Sequence, residues 1–355
     1  MSNTLIKRSF WQGKSVVVTG HTGFKGSWLT ICLERLGAKV IGIALEALDD
    51  PSLFESSNIS DICTSIICDI RDHKKLNDIL EKYNPEIIFH LAAQPLVREG
   101  YKNPIKTYST NLMGSINLLD ISRTIPNLKS LVIVTTDKVY KNKEWCHPYR
   151  ENDEIGGFDP YSASKAALEI AVASYRDSFF NNKNLSITTA RAGNVIGGGD
   201  WAEDRLIPDL IRAWNNNEEL IIRHPNFIRP WQHVLEPLYG YLLLAQNSYG
   251  NSELNGAYNF GPKTDKFITV KRLLEIASEF KINPSIKYIE ESDYHESKSL
   301  VLDYSLSMQR LGYSPRWTIR KSIKNTIKWY EDFYLGKSTM DSCLDDIKEF
   351  FGENE

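Results

Sequence analysis

The chain has 355 residues, enough for one large domain or two modest ones, and its 42 basic and 45 acidic side chains leave a net charge of −3. That balance excludes the basic stripe of a nucleic-acid binder and the acidic tail of a disordered chain. No apolar run is long enough for a membrane span, Met1 to Phe10 lacks a signal core, and Cys32, Cys63, Cys68, Cys146 and Cys343 form no C-x-x-C pair, which together predict reduced thiols, a cytoplasmic location and no metal site.

Taken in order, Lys14 to Thr19 reads as a short apolar strand and Gly26 to Leu36 as a helix closed by Gly37. Ala38 to Ala44 and Thr64 to Cys68 read as the second and third strands, His73 to Tyr83 as a helix, and Glu86 to Ala92 as the fourth strand. Ile105 to Ser122 carries apolar residues at Ile105, Tyr108, Leu112, Ile116 and Leu119, the helical period. Leu131 to Thr135 is the fifth predicted strand, Tyr161 to Phe180 the next helix and Ser186 to Arg191 the sixth strand. Strands and helices that alternate, with continuously apolar strands, predict an α/β fold: a Rossmann-type, doubly wound parallel sheet covered on both faces. After Gly193 the alternation breaks into a glycine cluster (Gly197 to Gly199), a helix (Leu206 to Trp214) and mixed segments. The expected division is a dinucleotide-binding domain over 1–192 and a smaller mixed substrate lobe over 193–355, with a segment near 225–262 returning to the sheet through Tyr258-Asn259-Phe260.

The loop Gly20-His21-Thr22-Gly23-Phe24-Lys25-Gly26 follows the first strand and opens the first helix. Its G-x-x-G-x-x-G spacing lets a pyrophosphate approach the free N–H groups and positive dipole end of that helix. Glu46, after the second strand, is placed to accept from the adenosine ribose hydroxyls and to repel a 2′-phosphate, which predicts NAD rather than NADP. Asp69 and Ile70, ending the third strand, are placed to hold the adenine. Tyr161 and Lys165 lie four apart on one helix face. An ammonium beside the phenol would let Tyr161 take a proton near neutral pH.

The glycine spacing, the Ala92-Ala93-Gln94 turn after the fourth strand and the Tyr161/Lys165 pair resemble the extended short-chain dehydrogenase/reductase family, from about Lys14 to Trp329. The resemblance implies a Rossmann domain carrying NAD and a lobe that clamps a nucleotide sugar, with Ala92 and Ala93 near the cofactor. Thr136-Asp137-Lys138 sits where the sugar-nucleotide 4,6-dehydratase branch carries Thr/Ser-Asp-Glu. Lysine in place of the glutamate resembles the class acting on CDP-glucose. So do three longer runs: His90 to Arg98, Arg191 to Trp201 and Arg229 to Pro237.

In that scheme Tyr161 deprotonates the sugar C4 hydroxyl, Lys165 holds the phenolate and the nicotinamide ribose, and Thr136 hydrogen-bonds the C4 oxygen. Asp137 is the acid for the departing C6 hydroxyl. Lys138 takes the C5 proton or stabilises the enolate. Gln94, Arg98, Asn194, Trp201, Arg205 and Arg229 are the expected substrate contacts, the arginines for the diphosphate. Asn111 is expected to support the helix beneath the site, and His90 to be a buried strand residue. The resemblance further implies a homodimer, or a dimer of dimers, paired through the helices 105–122 and 161–180. A 4-epimerase of the same fold would not need Asp137, a dehydratase of another nucleotide sugar would share all these residues, and an NAD-binding scaffold would need none of Thr136, Asp137, Tyr161 and Lys165.

Overall fold

The computed structural model describes residues 5–48, 50–181, 184–263, 268–280, 282–289 and 298–352. Strands β1 (Ser15–Thr19), β2 (Lys39–Ala44), β3 (Thr64–Ile67), β4 (Ile87–His90), β5 (Ser130–Val134) and β6 (Ser186–Ala192) form the expected parallel sheet. They are followed by β7 (Val195–Ile196), β8 (Leu220–Ile222), β9 (Gln232–His233), β10 (Gly256–Phe260) and β11 (Ile286–Tyr288). β10 adds itself to β6, so the sheet has seven strands in the order β10-β6-β5-β4-β1-β2-β3, while β7 pairs with β9 and β8 with β11. Chain order reverses between β1 and β4, where Thr19 stands opposite His90. Ligands of open parallel sheets bind outside the carboxyl ends of the strands at such a reversal.

The strand period places alternate residues in two cores. Val16 and Val18 of β1, with Phe89, Val132 and Ala190, join one cluster. Val17, with Ile41, Ile88, Leu131 and Ile187, joins the other under the helices His73–Tyr83 and Pro160–Tyr175. The first cluster runs on without a break into the C-terminal helices Ile319–Tyr334 and Thr339–Phe351, so the later part of the chain is welded to one face of the sheet. The helix Leu235–Ser248 was not anticipated. It is buried almost all round, so it carries no apolar–polar alternation to read. The predicted helix 105–122 starts at Pro104 and passes through a π-helical turn over Ser109–Gly114 before resuming at Ser115–Ser122. The predicted helix 161–180 likewise ends in a π-helical turn, Arg176–Phe180. The short helix Val97–Lys102 was also not anticipated.

Deep between β9 and the last helix, His233 Nε2 lies 3.7 Å from Asp346 Oδ2. Burial pushes the imidazole down to about 3 and the carboxyl up to about 7. An acid whose folded pKa exceeds its unfolded value of about 3.9 stabilises the fold fully at low pH, and that contribution is lost as pH rises from about 4 through 7. Asp346→Asn is therefore expected to raise the melting temperature by a few degrees at pH 8, with the gain vanishing near pH 4. A variant that melts lower at pH 8 would contradict this.

Candidate active site

The loop between β1 and the helix Phe24–Arg35 is built for an anion. Gly20 has φ +77°, and a Cβ on it would lie 2.7 Å from the backbone nitrogen of Ala92; one on Gly26 would lie 2.0 Å from the Gly20 carbonyl oxygen. The helix has neither a capping side chain nor an acid in its first turn, which leaves its positive end for an external negative group. Thr22 Oγ1 donates to the Leu45 carbonyl at 2.9 Å, which draws the exposed end of β2, with Glu46, beside the loop. Asp69 faces back onto Arg71, with Arg71 Nε 3.0 Å from both carboxylate oxygens. Ile70 is buried against Gly114, where a Cβ would meet its Cδ1 at 2.7 Å. His21 is buried on Ser65 Oγ at 2.7 Å and shapes the turn. These features fit a dinucleotide along β1 and β2.

Between β5 and the helix Pro160–Tyr175 the remaining chemistry converges. Thr136 caps a 3-10 turn over Asp137–Val139, accepting from Lys138 N at 3.3 Å and donating to Asp137 Oδ1 at 2.9 Å. Asp137 is buried, and its Oδ2 has no hydrogen-bond partner among the described residues. Gly193 leaves room for it, since a Cβ there would lie 2.8 Å from that oxygen. Burial raises the Asp137 pKa against the opposing pull of Lys138, Thr136, Arg229 and Lys25. Lys138 is half-buried beside it.

Tyr161 stands in the first turn of its helix, after the N-cap Asp159, whose side chain accepts from Ser162 N at 3.0 Å. The expectation that Lys165 by itself brings the phenol to neutral titration is corrected. Burial pushes Tyr161 up to about 12, with the Thr136 side chain pulling down and Asp137 pushing further up. Lys165 Nζ instead donates to the Val134 carbonyl at 3.1 Å, and burial together with Lys25 brings it down to about 8. Lys25 of the glycine loop is itself half-buried and brought down to about 8 by burial and by Arg205.

Two expected substrate contacts face inward. Trp201 is a correction: it packs in an aromatic core, with ring centroids 5.1 Å from Tyr330 and 4.9 Å from Phe333, because the turn before it is clamped by the helix Ile319–Tyr334. Gln94 commits both ends of its amide, donating to Thr107 Oγ1 at 2.9 Å and accepting from Leu96 N at 2.5 Å. It shapes the loop after β4 that holds Ala92 and Ala93. Arg98 meets Asp204 at 2.5 Å, Arg205 meets Asp200 at 2.9 Å, and Arg229 acts electrostatically on Asp137. Asn194 follows β6, and its carbonyl takes Gln232 N at 3.2 Å. Asn111, carried inward by the π-helical turn, accepts from Gln94 N at 2.8 Å and donates to Ser164 Oγ at 3.0 Å, so it fastens the β4 loop to the Tyr161 helix. His90 is a buried strand residue held by Thr19 and Ser115 at 2.7 and 2.8 Å.

Sequence reading missed Glu169 and Arg191, a buried bidentate pair below Lys165 with Arg191 Nε 3.0 Å from Glu169 Oε1. The signal was an acid one turn past Lys165 on the same helix face. Among the described residues no group of three or more His, Cys, Asp or Glu is placed to hold a metal, and no helix is long and apolar enough to cross a membrane.

A seven-stranded parallel sheet with an anion cradle at its reversal point and a tyrosine–lysine helix beside it defines a Rossmann-type fold, and residues 16–261 match the NAD-dependent epimerase/dehydratase family. The chain belongs to that family, and its cofactor is NAD. It is 45% identical over 353 residues to the CDP-glucose 4,6-dehydratase of Salmonella typhimurium, covering 98% of each chain. The dTDP-glucose 4,6-dehydratase of Haemophilus influenzae is 26% identical over 350 residues, covering 89% of this chain and 97% of its own. Among solved structures, a UDP-glucose 4-epimerase of Stenotrophomonas maltophila with bound NAD superposes with a TM-score of 0.79 at 22% identity, over 91% of this chain and 99% of that one. That likeness is one of fold.

Proposed function

We propose that the protein removes one water from CDP-glucose to give CDP-4-keto-6-deoxy-glucose: oxidation at C4, elimination across C5 and C6, and reduction at C6. The observation that carries this reading is the 45% identity, end to end, with the Salmonella enzyme. It is supported by the placement of Thr136, Asp137, Lys138, Tyr161 and Lys165 around one strand end. The test is to incubate the protein and NAD separately with CDP-, dTDP-, UDP- and GDP-hexoses and follow mass. Water loss from CDP-glucose alone is the expected result. Loss from another nucleotide sugar overturns the base, and interconversion of C4 epimers without water loss overturns the reaction.

NAD, when bound, would supply the hydride acceptor for C4 and the hydride donor for C6. Gly20, Thr22, Gly23, Phe24, Lys25 and Gly26 cradle the pyrophosphate. Glu46 would take the ribose hydroxyls, Asp69 and Ile70 would bound the adenine, and Ala92 and Ala93 would line the path. Tyr161 accepts the C4 hydroxyl proton and Thr136 orients the C4 oxygen. Asp137, whose pKa burial raises, donates to the leaving C6 hydroxyl. Lys138 faces C5, as base or as the charge that steadies the enolate. Asn194, Arg98, Arg205 and Arg229 take the substrate diphosphate and sugar, and Gln94 holds the loop that lines them. Residues 1–192 form the NAD-binding part and 193–355 the substrate lobe, with β10 returned to the sheet.

Lys138→Met is expected to slow turnover by roughly 10²-fold, the scale of one lost electrostatic or proton-transfer contribution. It should also suppress deuterium incorporation at C5 in D2O. Normal incorporation with normal turnover would remove Lys138 from the mechanism.

The proposed location is the cytoplasm, in keeping with the free thiols of all five cysteines. The proposed assembly is a homodimer, or a pair of dimers, through the two helices at 104–122 and 160–180, where Ile105, Met113 and Ile170 are 85%, 51% and 64% exposed. Ile170→Asp is expected to shift the light-scattering mass toward the monomer; an unchanged mass would place the interface elsewhere.

A further inference from the structure

The Tyr161 helix carries one buried carboxylate that the reaction scheme does not use. Glu169 lies one turn past Lys165 and two past Tyr161, on the same face, and is 4% exposed. Its Oε1 accepts from Thr135 Oγ1 at 2.6 Å and from Arg191 Nε at 3.0 Å. Its Oε2 accepts from Thr189 Oγ1 at 2.7 Å and from Arg191 Nη2 at 3.0 Å. Arg191 Nη1 continues to Tyr140 OH at 2.9 Å and the Glu151 carbonyl at 3.0 Å. One carboxylate therefore binds the helix to the ends of β5 and β6.

The position of Thr135 gives this knot a consequence for the site. Thr135 stands between Val134, whose carbonyl receives Lys165 Nζ at 3.1 Å, and Thr136, whose hydroxyl faces both Tyr161 and Asp137. The carboxylate holds the residue in the middle while the helix that carries it also carries Lys165. Packing alone would not call for this arrangement, because an apolar pair of equal volume commonly stabilises a core as well as a buried ion pair does.

We propose that Glu169 is a positioning residue for the hydride-transfer step, locking Lys165 and Thr136 into one register through Thr135 and Arg191. The inference rests on the roles given above to Tyr161 and Lys165. Electrostatics agree with the geometry. The groups facing Lys165 are Lys25 from the cofactor helix, Glu169 from its own helix and His90 from β4. Of these Glu169 alone is negative, and it favours the ammonium. Arg191 and Arg176 face Glu169 in turn, and the Arg191 pair and the threonine hydroxyls hold its carboxyl below the ordinary range despite burial.

The test compares Glu169→Gln, Glu169→Asp, Thr135→Val and Tyr161→Phe in the full chain with NAD. Glu169→Gln is expected to lower kcat about tenfold or more with KM for the nucleotide sugar changed less than about threefold. The alkaline limb of its kcat–pH profile should move to lower pH, because Lys165 loses its one facing anion. Glu169→Asp keeps the charge and is expected to restore that limb. Thr135→Val removes one hydrogen bond without stranding a charge, and is expected to lower kcat about threefold at unchanged KM. That variant decides the matter if Glu169→Gln does not fold. A folded Glu169→Gln with an unmoved pH profile, or a Thr135→Val with normal kcat, overturns the inference. If Tyr161→Phe keeps full activity, the catalytic reading beneath it fails instead.

Discussion

Tyr161→Phe is expected to lower turnover by roughly 10³-fold while leaving the fold and nucleotide-sugar affinity nearly intact, because general-base removal of a hydroxyl proton is worth about 10²–10⁴-fold. The phenol ring sits in the first helical turn behind a well-formed cap, so phenylalanine keeps the packing and loses only the oxygen. That oxygen is the group burial has pushed up to about 12, with Thr136 and Asp137 acting on it in opposite senses. Single-turnover absorbance of the reduced nicotinamide is the measurement, since it isolates C4 oxidation from the later steps. The expected result is a loss of the absorbance rise with an unchanged dissociation constant for the sugar nucleotide. An undiminished rise would remove Tyr161 as the base and return the site to a binding role.

Asp137→Asn should produce a different failure. Oxidation at C4 needs Tyr161, Lys165 and Thr136, all present, so the first half-reaction is expected to proceed. Expulsion of the C6 hydroxyl needs an acid, and an amide cannot supply one. Turnover is expected to fall by about 10²–10³-fold, with reduced cofactor and an unreleased 4-keto hexose still carrying its C6 hydroxyl, visible by mass after quenching. In the native enzyme, burial raises the Asp137 pKa. The acid form, and with it the rate of elimination, is therefore complete at low pH and is lost as pH rises through the raised value. The variant is expected to lose the part of the alkaline fall that belongs to elimination and to keep the part set by Lys165. Ordinary water loss from Asp137→Asn would assign the acid to another group.

The two predictions separate because the residues are adjacent but differently housed. Asp137 is sealed against Gly193 and Pro230, where a Cβ on Gly193 would lie 2.8 Å from Oδ2 and 2.2 Å from Pro230 Cγ. Tyr161 is half-buried in the first turn of its helix, with its phenol interacting with the Thr136 side chain. Asp137 is a buried carboxyl with one oxygen on Thr136 and the other unpartnered among the described residues, and burial raises its pKa.

Much of this was legible in the residues themselves. Apolar strands such as Ser15–Thr19 and Ser130–Val134 announce themselves because both faces of a parallel strand are buried. The glycine loop is legible because only glycine fits where Gly20 meets Ala92. Tyr161 and Lys165 are legible because a helix fixes their spacing. Local rules, in which the cause and the residue lie within a few positions, determined the sheet, the glycine loop and the helical spacing of Tyr161 and Lys165.

Tertiary structure decided whatever depends on neighbours distant in sequence. Trp201 could have stacked on a nucleotide; the helix Ile319–Tyr334, more than a hundred residues later, claimed it for a core. Leu235–Ser248 was invisible because burial on all sides erases the helical period. The phenol's high pKa comes from burial and from Asp137 nearby, while Lys165 directs its ammonium onto the Val134 carbonyl. Glu169 and Arg191 became a pair because β6 lies beside β5 and under the helix. Side-chain identity sets which charges a chain owns; desolvation and distance, which exist only once the chain is folded, set what those charges do.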